Sequence, residues 1–267
     1  MAYPPGAEKT ARSCLEAYPG LRARAAAWLG MQTKGSVSIL LVEDHPRLVS
    51  AIGASVPLWA VAVTRGDGLI ALRLDRVGSD PAMALEIVLL HEAVHELLNR
   101  LGGNRMPAWF EEGLCVTLAG TPYLRMDGSA ERRAAAGSLP SFVQLDGAFR
   151  RDDPLEAALA YEVGRSAAAF FLGRHGQGAL PALVRRLAAG EPFAAAFHAT
   201  AGESIEEFEQ AWRASITPGI PFFLYVILQE MELALLFFGA LLVAAGFLRY
   251  RIRRRRALEE LGADQGA

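Results

Sequence analysis

The sequence is short of several things, and each shortage removes a class of function. It has two cysteines, Cys14 and Cys115, in 267 residues. They cannot form a disulfide framework and lack the close spacing of a thiolate zinc site; Cys115 reads as a small buried hydrophobe. Basic charge is scarce over most of the chain. The first 248 residues hold 21 Lys+Arg against 26 Asp+Glu, and no basic stretch interleaved with aromatics occurs there, which excludes the electrostatic footprint of a nucleic-acid binder. No internal repeat is visible. Residues 1–35 contain no continuous apolar run, so no cleavable export signal is seen.

What is present is order. Residues 1–35 read as an N-terminal helical or linker segment, with an amphipathic helix from about Ala11 to Leu29. Val37–Val42, Trp59–Thr64 and Leu69–Leu74 read as strands, the last two joined by Arg65-Gly66-Asp67-Gly68 as a hairpin. A helix of about 20 residues follows, with Ser79 or Asp80 as N-cap, Pro81 in the first position and Gly102-Gly103 as the stop. Pro107 to about Ala119 is a shorter helix and 120–139 an irregular stretch. Helices are expected near 140–149, 155–174, 179–189 and 203–215. Strands first and helices after predict an α+β fold with a small N-terminal sheet.

The segment Ile216-Thr-Pro-Gly-Ile-Pro221 should close a domain spanning 36–217. Sixteen uncharged residues, Leu233–Leu248, then lead into six arginines from Arg249 to Arg256. This pattern predicts a linker and one transmembrane helix over 218–249 and a basic tail over 250–267. By the positive-inside rule the tail is cytoplasmic and the preceding domain extracytoplasmic, anchored as a single-pass membrane protein. That orientation expects an export signal upstream of Met1; a tail-anchored enzyme breaking the rule is the alternative.

The chemistry concentrates in His91-Glu92-Ala93-Val94-His95. Four residues apart on a helix, His91 and His95 direct two imidazoles at one point, while Glu92 projects about 100° away, where it can take a proton from water without acting as a ligand. Ala84, Val88, His91, His95 and Leu98 form one helical stripe, so the histidines continue a buried side. A catalytic zinc needs a third protein ligand. Met106-Pro-Ala-Trp-Phe-Glu111-Glu112-Gly113-Leu114 supplies a carboxylate on the next helix. Glu112 shares a stripe with Ala108, Cys115, Val116 and Ala119, Glu111 with Pro107, Leu114 and Leu118, and this pattern alone leaves both open.

The pair of motifs, His-Glu-x-x-His and then Pro-x-Trp-x-x-Glu-Gly, resembles the peptidase MA-like branch of the gluzincin metallopeptidases, over roughly residues 36–215. The resemblance implies a zincin-like domain, Zn²⁺ bound by His91, His95 and Glu112, Glu92 as general base, and a peptide or protein substrate. Related enzymes use a Tyr or His from a later helix to steady the oxyanion, which makes Tyr161 the candidate. The fold analogy also suggests Leu69–Leu74 as the sheet edge that receives the substrate. His45, His175 and His198 have no spacing that brings them to the metal. The alternative is a non-catalytic, membrane-anchored binding or scaffold protein. Oligomeric state is not encoded in any pattern seen.

Overall fold

Ser38–Val42 (β1) alternates partly exposed with buried side chains, as a strand over a core does. Asp44 then accepts from the Arg47 backbone N–H at 3.0 Å and caps a helix, His45–Ile52 (α2). Ala62–Arg65 (β2) and Leu69–Arg73 (β3) form the expected hairpin, with Gly68 at φ +84° in its turn. The chain then returns β3 to the middle of the sheet: β1 pairs with it in parallel and β2 antiparallel, giving the order β1-β3-β2. Leu69–Arg73 is therefore the central strand, buried on both sides, and the open edge facing the following helix belongs to β2. Leu69–Arg73 is thus not a sheet edge, and the suggestion that Leu69–Leu74 serves as the edge receiving a substrate does not stand.

The structure is a computed structural model that describes residues 1–78, 84–101, 105–119, 129–217, 219 and 222–263. Ser79, Asp80, Pro81, Gly102 and Gly103, expected to punctuate the motif helix, lie outside these, as do residues 120–128. The motif helix itself runs Leu85–Asn99 (α3), with Ala84 as N-cap. It is 15 residues long, shorter than the expected twenty, and buried nearly all round. On one side it meets an N-terminal helix, Glu8–Leu29 (α1); on others it meets β2 and Ala108–Ala119 (α4). The contact with α1 is polar at its centre: Arg22 Nε donates to Glu96 Oε2 at 2.8 Å inside the core, and the same guanidinium donates to the Lys34 carbonyl at 2.8 Å.

The remaining helices are Ser129–Ala135 (α5), Phe142–Leu145 (α6), Pro154–His175 (α7), Ala179–Ala188 (α8), Phe193–Ala201 (α9) and Ile205–Ile216 (α10), with a 3₁₀ turn at Ala148–Arg150. Asp153 caps α7 ahead of Pro154, and Ser204 with Glu207 makes a capping box on α10. α4 crosses α7 at a pair of glycines. A Cβ on Gly164 would stand 2.6 Å from the Trp109 carbonyl oxygen, and one on Gly113 would collide with the Gly164 carbonyl. Only glycine permits that approach. Trp109, Phe110, Phe142, Phe171, Phe197, Phe208 and Trp212 fill the space around the crossing, all but buried, with Trp109 stacked on Phe142 at a centroid distance of 3.9 Å.

The chain divides into Met1–Thr217 and Pro218–Ala267, the second containing one long helix, Phe222–Ala263 (α11). The expectation of an α+β zincin-like domain carrying one C-terminal transmembrane helix is corrected on both counts. The protein is mostly helical (65%), with one small three-stranded sheet among the described residues, because the described segments after the sheet, including 129–135 and 193–201, are almost all helix. Among the described residues no helix is long and apolar enough to cross a membrane. The uncharged run Leu233–Leu248 is sixteen residues, about 24 Å at the helical rise, against a hydrocarbon thickness of about 30 Å, and Glu230, Glu232 and Arg249 bound it.

Candidate metal centre

α3 and α4 bring three donor atoms together. His91 Nε2 and His95 Nε2 are 3.1 Å apart, and Glu112 Oε2 is 3.3 Å from each. Donors around a tetrahedral ion with bonds of about 2.0–2.1 Å stand about 3.3 Å from one another. The three atoms therefore describe one triangular face of a zinc-sized tetrahedron, and the residues fit the ion. His91 is buried, while the Glu112 side chain keeps 19% of its surface toward a cleft. That leaves the fourth direction for a small ligand.

The choice between the two acids follows from the geometry. Glu112 converges with the imidazoles; Glu111 Oε1 lies 2.8 Å from His95 Nδ1, on the far side of the ring. A carboxylate there would fix the tautomer of a metal-bound His95, with Nε2 facing the ion. Burial acts to raise the Glu112 carboxyl, but His95 and His91 outweigh it and hold it well below the usual carboxylate range. Burial also acts to lower His95, and the sulfur of Cys115 with the carboxylates of Glu112 and Glu111 reverses this, raising it well above an ordinary imidazole.

Cys115 is the residue whose place the sequence reading did not foresee. One turn beyond Glu112 and fully buried, it sets its sulfur within 4.8 Å of a ring nitrogen of both His91 and His95. The signal existed, since Cys115 shares the Glu112 stripe, but its small apolar neighbours pointed to packing. Burial pushes its thiol up to about 12. His91, His95 and Cys115 are themselves a group that could hold a metal ion, and Glu112 Oε2, 3.3 Å from both imidazoles, is a second candidate for the third donor.

Glu92 is 3% exposed, and Thr64 on β2 donates its hydroxyl to Glu92 Oε2 at 2.7 Å. Tyr161, on α7 one turn before Gly164, is buried against Trp59 and Phe149 at centroid distances of 5.9 and 5.1 Å. Its ring is 6.5 Å from that of His91, and burial first of all raises its phenol well above the ordinary value. The glycine crossing of α4 and α7 is what carries Tyr161 to the histidines. All five expected residues thus line one cleft of about 1500 Å³, whose walls include Ala62–Thr64 of β2, Trp59, Phe142, Val143 and Phe193. The other histidines are elsewhere: His45 Nε2 pairs with the Val56 carbonyl at 2.8 Å and His175 with Glu203 at 3.0 Å, while His198 sits on α9.

No family model matches the chain, and no curated protein matches it.

Proposed function

We propose that the chain is a zinc-dependent peptidase of the gluzincin type, with peptide or protein as its substrate. The observation that carries this reading is the triangle of His91, His95 and Glu112 donors, spaced for a tetrahedral ion, with a buried carboxylate, Glu92, immediately beside it. Two histidines and a glutamate are a ligand set that leaves a tetrahedral zinc one open position.

Zn²⁺ bound by these three residues supplies Lewis acidity toward a scissile carbonyl and toward water. The chain's own groups do the rest. Glu92 takes the proton of the attacking water and passes it to the leaving amine. Tyr161, kept as a neutral phenol by its burial, is a donor for the oxyanion that develops on the carbonyl oxygen. Glu111 holds the His95 ring in place through Nδ1. The open edge of β2 lines the cleft and offers backbone groups to an extended peptide, which would add a strand there.

Replacing Glu92 by Gln keeps shape and removes the base. We expect hydrolysis of a mixed peptide library to fall by about 100-fold or more with zinc still bound. Hydrolysis at the wild-type rate in Glu92→Gln would exclude this mechanism. Bound zinc in a wild type that cleaves nothing would favour a binding module instead.

A further inference from the structure

The hydrogen bond between Thr64 and Glu92 joins residues 28 apart in sequence, and Thr64 lies outside both motifs. Thr64 lies on the edge strand, where its backbone is held in register opposite Ile70 of β3. A threonine side chain is stiff at χ1, so a fixed strand fixes the direction of the hydroxyl. That hydroxyl is 2.7 Å from Glu92 Oε2 and 3.3 Å from the Glu92 carbonyl oxygen. Having one proton, it gives it to the shorter contact, which is also the charged one.

Glutamate has three rotatable bonds, and a general base must sit within hydrogen-bond reach of the water it deprotonates. Glu92 is anchored at its Cα by α3, which restricts χ1 and leaves χ2 and χ3 to be set by its neighbours. With Oε2 held by Thr64, Oε1 is the oxygen left for water.

We propose that Thr64 is a positioning residue: its hydroxyl fixes the Glu92 carboxylate in the orientation from which it deprotonates water, and so ties the base to the strand that lines the substrate cleft. This rests on the peptidase reading above. Thr64 acts through Glu92 and neither binds the ion nor carries the proton.

The test is a comparison of kcat, KM and zinc content for the full chain, Thr64→Val, Thr64→Ser, Glu92→Gln and the double variant Thr64→Val/Glu92→Gln, on one fluorogenic peptide. Valine keeps the volume and the strand and removes the donor. We expect Thr64→Val to lower kcat about 10- to 100-fold at unchanged KM and unchanged zinc content. Thr64→Ser, which restores the hydroxyl with a freer χ1, should return to within about 5-fold of wild type. In the Glu92→Gln background, Thr64→Val should cost less than about 2-fold more, because the group it positions is gone. A wild-type kcat in Thr64→Val, a full further loss in the double variant, or loss of zinc from Thr64→Val would each overturn the positioning role and leave the peptidase reading standing. No hydrolysis by the wild type would overturn both.

Discussion

His95 is bonded at both ends of its ring: Nδ1 stands 2.8 Å from Glu111 Oε1, and Nε2 stands 3.3 Å from Glu112 Oε2. Adjacent glutamates on one helix thus have different work. Glu111→Gln retains an acceptor for Nδ1 and should weaken zinc binding by about 10-fold, whereas Glu111→Ala should weaken it by about 100-fold. Glu112→Ala removes a donor outright and should leave no zinc after dialysis against a weak chelator. Competition titrations with a chromophoric chelator give all three values. Equal affinities for Glu111→Ala and wild type would remove Glu111 from the site.

Under the proposed zinc binding, protons and zinc would compete for His95. In the metal-free protein its raised value means that its contribution to stability is complete below the unfolded pKa of about 6.5 and is lost as pH rises through the higher folded value. Glu112, lowered in the fold, contributes above about pH 4.3 and its contribution is lost as pH falls. Zinc bound as proposed would have to displace the proton from His95. The rise in Tm produced by saturating zinc should therefore grow between about pH 6 and pH 8. A zinc-induced rise that is flat or shrinking over that interval would contradict the coupling.

The crossing of Gly113 and Gly164 sets how close α7 comes to the metal helices. Gly164→Ala places a methyl 2.6 Å from the Trp109 carbonyl, and two helix backbones would have to separate. We expect a loss of about 3 kcal/mol or more in urea unfolding. Because Tyr161 rides on α7, activity should fall further than zinc content does. Gly173→Ala is the control: it has open space around it and should stabilise or be neutral.

Arg22 and Glu96 form an ion pair with side-chain exposures of 10% and 1%, one residue from His95. Arg22→Ala leaves a buried carboxylate whose neighbouring guanidinium on Arg100 only partly replaces it. A loss of about 3–5 kcal/mol in chemical denaturation is expected, with zinc affinity retained under native conditions. A loss below about 1 kcal/mol would show that the pair is not desolvated as the structure has it.

How much of this was legible in the sequence depends on the range of the signal. The spacing of His91 and His95 is a property of one helix, and so is the position of Glu112 on its stripe; both were readable because an α-helix has a fixed period. The helical stripes left Glu112 and Glu111 both open and the motif resemblance alone pointed to Glu112; that its carboxylate reaches the imidazoles depends on the angle between α3 and α4, which no local pattern contains. The hairpin at Asp67-Gly68 was readable from its turn, but the sheet order was not, since β1 returns to β3 through a long connection and takes the other side of it. Thr64–Glu92 and Arg22–Glu96 join positions 28 and 74 apart. The arginines after Leu248 suggest a membrane flank, but the uncharged run before them is too short for the crossing.

Everything in the proposed mechanism depends on His91, His95 and Glu112 holding zinc. The most direct measurement is the metal content of the purified full chain by elemental mass spectrometry, beside His91→Ala/His95→Ala, with folding of both checked by circular dichroism. We expect about one zinc per chain in the wild type and none in the folded double variant. A folded wild type that takes up no zinc on incubation with the ion, or a double variant that holds it equally well, would contradict the claim.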